Sequence, residues 1–75
     1  MKFKCYRYKY NPKTGDHFDD EWFEGETPYD QNTLKRTLEE QDYRYVSGKE
    51  SNRELVMERP CGEIVVEFVV YEFYD

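Results

Sequence analysis

Glu63-Ile64-Val65-Val66-Glu67-Phe68-Val69-Val70-Tyr71-Glu72-Phe73-Tyr74 is the stretch whose conformation decides the rest of the chain. It is rich in β-branched and aromatic residues and holds neither Gly nor Pro, so it reads as one extended strand rather than a helix. Side chains alternate along a strand. Ile64, Val66, Phe68 and Val70 therefore point to one side, and Val65, Val69, Tyr71 and Phe73 to the other. Both sides are largely apolar, which places the strand in the interior of a sheet, between shorter and more polar neighbours.

Working outward, Arg59-Pro60-Cys61-Gly62-Glu63 is a compact turn that makes residues 53–59, with Leu55 and Met57 on one face, the hairpin partner of the final strand. Residues 47–52 form a polar loop, and residues 42–46 read as a short strand before it. Thr27-Pro28-Tyr29-Asp30 is a helix start: Thr27 can cap, Pro28 suits the first helical position, and Asp30 meets the helix dipole. The helix runs to about Gln41 with Leu34 and Leu38 as its apolar stripe, a thin one that suits a cover lying on one sheet face.

At the other end, residues 2–10 (KFKCYRYKY) alternate as a strand, with Phe3 and Cys5 on one side and Tyr6, Tyr8, Tyr10, Lys2 and Lys4 on the other. The lysines suit a sheet edge, where they discourage a further chain from pairing. Asn11-Pro12-Lys13-Thr14-Gly15-Asp16 is a strong turn signal, so residues 17–24, anchored by Phe18, Trp22 and Phe23, form a second, irregular strand paired with the first. The expectation is a single α+β domain over residues 1–75: a small antiparallel sheet in the order ββαβββ with one helix packed on one face.

Eight Tyr, five Phe and one Trp in 75 residues separate this chain from disordered sequences of similar charge, because large aromatics build a core from few positions. The formal net charge of −6 is unevenly distributed: residues 1–13 carry five bases and no acid, leaving all 17 acids against six bases in residues 14–75. Bases of the first strand opposite acids of the second would account for part of that opposition. The remaining negative field repels nucleic acid and attracts basic protein surfaces. There is no apolar leader or membrane-length apolar run, which gives a cytoplasmic expectation with Cys5 and Cys61 reduced.

The residues offer no catalytic device. His17 is the one histidine, it sits among acids after a turn, and no nucleophile elbow surrounds a Ser or Cys. Cys5, Cys61 and His17 lack zinc-ligand spacing, and the carboxylates of residues 16–26 do not follow a calcium-loop pattern, so neither metal nor cofactor is expected. The interleaved bases and aromatics of residues 2–10 resemble a single-strand nucleic-acid platform, but the acidic remainder opposes phosphates.

Two functional readings follow. In the first, Asp16, Asp19, Asp20, Glu21, Trp22, Phe23, Glu24 and Glu26 bind a partner protein with a basic surface, such as a nucleic-acid-binding effector, and inhibit it by standing in for phosphates. In composition the chain is similar to small counter-defence proteins of phages and mobile elements, including anti-CRISPR proteins and DNA mimics, although it carries no family motif. In the second, a face bearing Tyr6, Tyr8, Tyr10, Val69, Tyr71 and Phe73 packs on a second copy as a homodimer.

Overall fold

A strand apolar on both sides needs a hydrogen-bonded neighbour on each edge and cover on at least one face. The computed structural model describes residues 1–74, with the backbone alone for Glu50. The elements run β1 (Lys2–Tyr10), β2 (His17–Glu26), α1 (Gln31–Glu40), β3 (Arg44–Ser47), a 3-10 turn (Glu50–Asn52), β4 (Glu54–Cys61) and β5 (Val65–Tyr74). All strand pairs are antiparallel, and the sheet order is β2-β1-β5-β4-β3, with β5 at its centre. The protein is thus α+β in the order ββαβββ, with one helix on one face of the sheet.

Several boundaries differ from the sequence reading, each for a local reason. β1 is not an edge: it lies between β2 and β5, and its bases are used against the acids of β2, with Lys2 opposite Glu26, Lys4 opposite Glu24 and Arg7 opposite Glu21. Helix α1 starts after Asp30, whose Oδ1 accepts from the Thr33 amide at 2.7 Å, while Thr27 Oγ1 accepts from the Tyr29 amide in the preceding turn. Asp30 is the better cap because its carboxylate also answers the helix dipole. Pro60 lies inside β4 and the turn falls at residues 62–64, which leaves Ile64 exposed outside β5. Beyond Glu58 no residue of β3 pairs with β4, so that side is free and Pro60 forfeits no ladder bond there.

A ten-residue helix is marginal by itself in water. Packing holds α1 in place. Leu38 joins Tyr43, Leu55, Met57, Val69 and Phe73 in the core, with Leu34, Phe3 and Tyr71 against them. Leu55 and Met57 are 1% and 0% exposed, and burial of side chains of that size is worth about 1.5–3 kcal/mol each. Buried Gln31 adds a polar tie, its Nε2 donating to the Glu54 carbonyl at 2.7 Å. Toward β1 and β2 the helix gives way to Phe3, whose ring lies over Gly25 and meets Phe23, Tyr71 and Phe73 edge-on.

The helix ends by reversing through Asp42 at φ 69°, with the Tyr43 amide donating to the Leu38 carbonyl and the Asp42 amide to the Glu39 carbonyl. This double closure drops Tyr43 into the core beside Leu38. Gly48, at φ 110°, has no such latitude: a Cβ there would strike the Glu54 carbonyl and come within 2.8 Å of Leu55 Cα.

Urea denaturation should resolve two substitutions of opposite sign. Asp42→Gly relieves a left-handed non-glycine residue and should raise stability by up to about 1 kcal/mol, whereas Gly48→Ala should lower it by at least about 2 kcal/mol. Equal midpoints for the two variants would contradict these turn assignments.

Candidate functional site

The register that centres β5 also sorts every side chain to a face. Phe3, Cys5 and Arg7 of β1 stand opposite Phe73, Tyr71 and Val69 of β5, on the face that carries the helix. Tyr6, Tyr8 and Tyr10 stand opposite Val70, Phe68 and Val66 on the other face, which no element of the described chain covers. The homodimer face expected from sequence is therefore divided. Its three tyrosines lie on the open face, whereas Val69 and Phe73 are buried and Tyr71 is packed beneath the helix side. The sequence left the parity of the β1–β5 register unspecified, and a slip of one residue exchanges all these positions.

On the open face the aromatics touch in sequence. Trp22 of β2 stacks on Tyr6 at 4.9 Å between centroids, Tyr6 lies 5.0 Å from Tyr8, and Tyr8 stacks on Phe68 of β5 at 5.3 Å and 16°. Tyr10 meets Phe68 edge-on at 6.2 Å, and His17 approaches Tyr8 at 5.9 Å. Val56, Val66 and Val70 extend this ribbon along β4 and β5. Trp22 is 69% exposed at its outer end. Ladder spacings give the face roughly 20 by 30 Å, or about 600 Å². That approaches the ~800 Å² one partner gives to a standard interface.

Charge borders the ribbon. In register, Glu24, Lys4, Glu72 and Glu54 form a bar across four strands. Glu54 and Glu72 stand directly opposite, a like-charge placement that costs stability in an antiparallel pair. By strand alternation the open face holds Lys2, Lys4 and Arg44 against Asp20, Glu24, Glu26, Glu54, Glu58 and Glu72, three bases against six acids.

The acids expected to bind a partner are all exposed, as are Trp22 and Phe23, but β2 does not present them in one row. Strand alternation sends neighbouring carboxylates to opposite faces, and a register shift opposite Arg7–Lys9 with the positive φ of Asp19 leaves Phe18 and Asp19 both against Lys9. Asp19 Oδ2 accepts from Lys9 Nζ at 3.3 Å and Glu21 Oε2 from Arg7 at 2.9 Å, both on the helix side, where Phe23 also lies opposite Cys5. Asp20, by contrast, turns to the aromatic ribbon: its Oδ2 accepts from the Tyr6 hydroxyl at 2.6 Å and its Oδ1 lies 3.3 Å from His17 Nδ1. Trp22, Glu24 and Glu26 accompany it, opposite Tyr6, Lys4 and Lys2. Asp16 is in the exposed turn, where its carbonyl accepts from the Asn11 amide.

Sequence reasoning missed Phe68, Val70 and Glu72 as members of this surface, although their place on one side of the final strand was legible. The tyrosines stand with Val66, Phe68 and Val70 rather than with Val69, Tyr71 and Phe73.

A hollow of about 610 Å³ lies on the other side of the sheet beyond the helix and is lined by Arg7, Lys9, Arg59, Asp19, Glu21 and Glu67 among others. Its charges are engaged with one another. Buried Glu67 takes Arg59 Nε at 2.9 Å and Arg7 Nε at 3.5 Å, while Arg59 covers the Tyr43 ring at 4.4 Å. It is a partly exposed ion cluster around buried Glu67 that ties β1, β5 and β4 together. Cys5 is buried nearby opposite Tyr71, and burial pushes its thiol up to about 11. Cys61 stands opposite Val65, six positions along β5, so roughly 20 Å of strand separates the two thiols and both are free. Among the described residues, no three His, Cys, Asp or Glu side chains gather as a metal-binding group. No helix in this portion is long and apolar enough to cross a membrane.

Comparison with protein-family models, with curated proteins and with solved structures gave no match to this chain.

The Tyr6 hydroxyl, followed by His17, holds the Asp20 carboxyl below its ordinary range, and the same bond pushes the Tyr6 phenol up to about 12. Since the folded value is depressed, the contribution is present above the ordinary carboxylate pKa and is lost as pH falls through the folded one. Tyr6→Phe should therefore return Asp20 toward the usual range in a carboxyl NMR titration; an unmoved titration would show that the bond does not form in solution.

Proposed function

We propose that this chain is an acidic protein-binding module whose open sheet face, with the adjoining edge of β2, docks on a basic surface of a partner protein. The observation that carries this reading is the uncovered ribbon from Trp22 to Phe68, bordered by twice as many acids as bases. Exposed Tyr and Trp are the side chains that supply most energy at protein interfaces, because they bury a large area with little loss of rotamer freedom. The acid excess selects the partner's sign. Two copies of the same face would oppose like charge with like charge, and phosphates would meet the same repulsion, so a cationic protein is favoured over a homodimer or a nucleic acid.

Inhibition is the form of this reading in which the carboxylates and aromatics occupy a groove that otherwise takes nucleic acid. A cytoplasmic setting, with both thiols reduced, accompanies it.

The test is affinity capture from the native host, comparing the unaltered chain with Trp22→Ser combined with Tyr8→Ser. A basic protein retained by the unaltered chain at low salt, weakened at high salt and lost by at least about tenfold with the double variant is the expected outcome. Equal retention by both would remove the open face from the interaction, and retention of acidic proteins or nucleic acid alone would overturn the assignment of partner.

A further inference from the structure

At one end of the aromatic ribbon is a notch of about 120 Å³ lined by Lys4, Tyr6, Trp22, Val70 and Glu72. We infer that this notch is a recognition site for an arginine side chain of the partner, an inference that rests on the basic-partner reading above and specifies its chemistry.

Size is the first argument. The volume equals about four waters at ~30 Å³ each, enough for a guanidinium head and its adjoining methylenes. Shape is the second. Trp22 and Tyr6 stack at 29°, so the indole rests against the phenol and the notch is walled by flat rings. A planar, weakly hydrated guanidinium stacks on such a wall and still directs its N–H groups sideways, whereas a compact ammonium keeps its water and gains less. Glu72 is among the lining residues, and a carboxylate is a fork-matching acceptor for a guanidinium.

Charge is the third. Lys4 also lines the notch, but it stands in register between Glu24 and Glu72, and Glu54 lies beyond Glu72, so three acids surround one base. The Glu54–Glu72 opposition costs the fold stability that a bound cation would return. The protein already uses the same trio on its other face, where Arg59 lies 4.4 Å over the Tyr43 ring and donates to Glu67 at 2.9 Å. Trp22 and Glu72 offer the aromatic and the carboxylate of such a trio to an arginine from outside.

Trp22 is the one tryptophan of the chain, so its emission reports the notch directly. The experiment titrates the full chain with oligoarginine and oligolysine peptides of equal length, at low and at physiological ionic strength, following that emission together with calorimetry. Oligoarginine should bind at least about tenfold tighter than oligolysine and shift the Trp22 emission. Glu72→Gln should erase most of that preference while raising the urea midpoint, because it removes the opposed carboxylates; a merely structural Glu72 would not move the two readouts in opposite directions. Equal binding of the two peptides would overturn the arginine site and leave the basic-partner reading standing. Absence of binding by either at low salt would overturn both. Saturable binding of an oligonucleotide instead, or a dimer by light scattering that excludes the peptides, would also overturn the arginine site.

Discussion

The fold turns on the mismatch between β5 and the helix α1 that covers it. β5 is apolar on two sides, and α1 is short and narrow enough to cover only one of them. Sequence alternation commits Val69, Tyr71 and Phe73 to the helix side and Val66, Phe68 and Val70 to the other. The chain holds no second helix among its described residues to complete a three-layer arrangement. What remains uncovered is therefore a consequence of the same pattern that builds the core. The aromatic ribbon on the open side shields itself in part by stacking, but its outer member, Trp22, stays largely in solvent.

Electrostatics work differently on the two faces. Beyond the helix, Glu67 interrupts the apolar side of β5 and is buried, yet Arg7 and Arg59 reach it from the strands on either side. Glu67 is the buried member while both arginines stay more than a third exposed, so solvent screens the pairs and their main value is to fix which strands adjoin β5 and in what register. On the open side the acids outnumber the bases, and Glu54 and Glu72 face one another across β4 and β5. Stability gained on one face and spent on the other is the pattern expected where a surface serves a partner.

Much of this was legible in the chain. The central position of β5, the hairpin to β4, the turn at residues 11–16 and the pairing of a basic first strand with an acidic second one all follow from alternation, turn chemistry and charge. The helix itself was legible but not its cap, because Thr27, Pro28 and Asp30 each fit a helix start and only packing of Gln31 and Leu38 selects among them. Three placements lay beyond local reasoning. The lysines of β1 suggested an edge, whereas long-range pairing with β5 made it interior. The parity of that pairing decided which aromatics of β5 join the tyrosines. The bulge at Asp19 then shifted the β1–β2 register, so that Phe18 and Asp19 both meet Lys9.

The most direct test of the two-faced central strand compares Val69→Asn with its neighbour Val70→Asn by urea denaturation. Val69 is 3% exposed beneath the helix, so an amide there is buried without a partner and should cost about 3 kcal/mol or more, a large share of the stability of so small a domain. Val70 faces the open side beside Tyr6 and Val56, where the same amide reaches water and the loss should stay below about 1.5 kcal/mol. Equal losses, or the greater loss at Val70, would contradict a sheet covered on one face only.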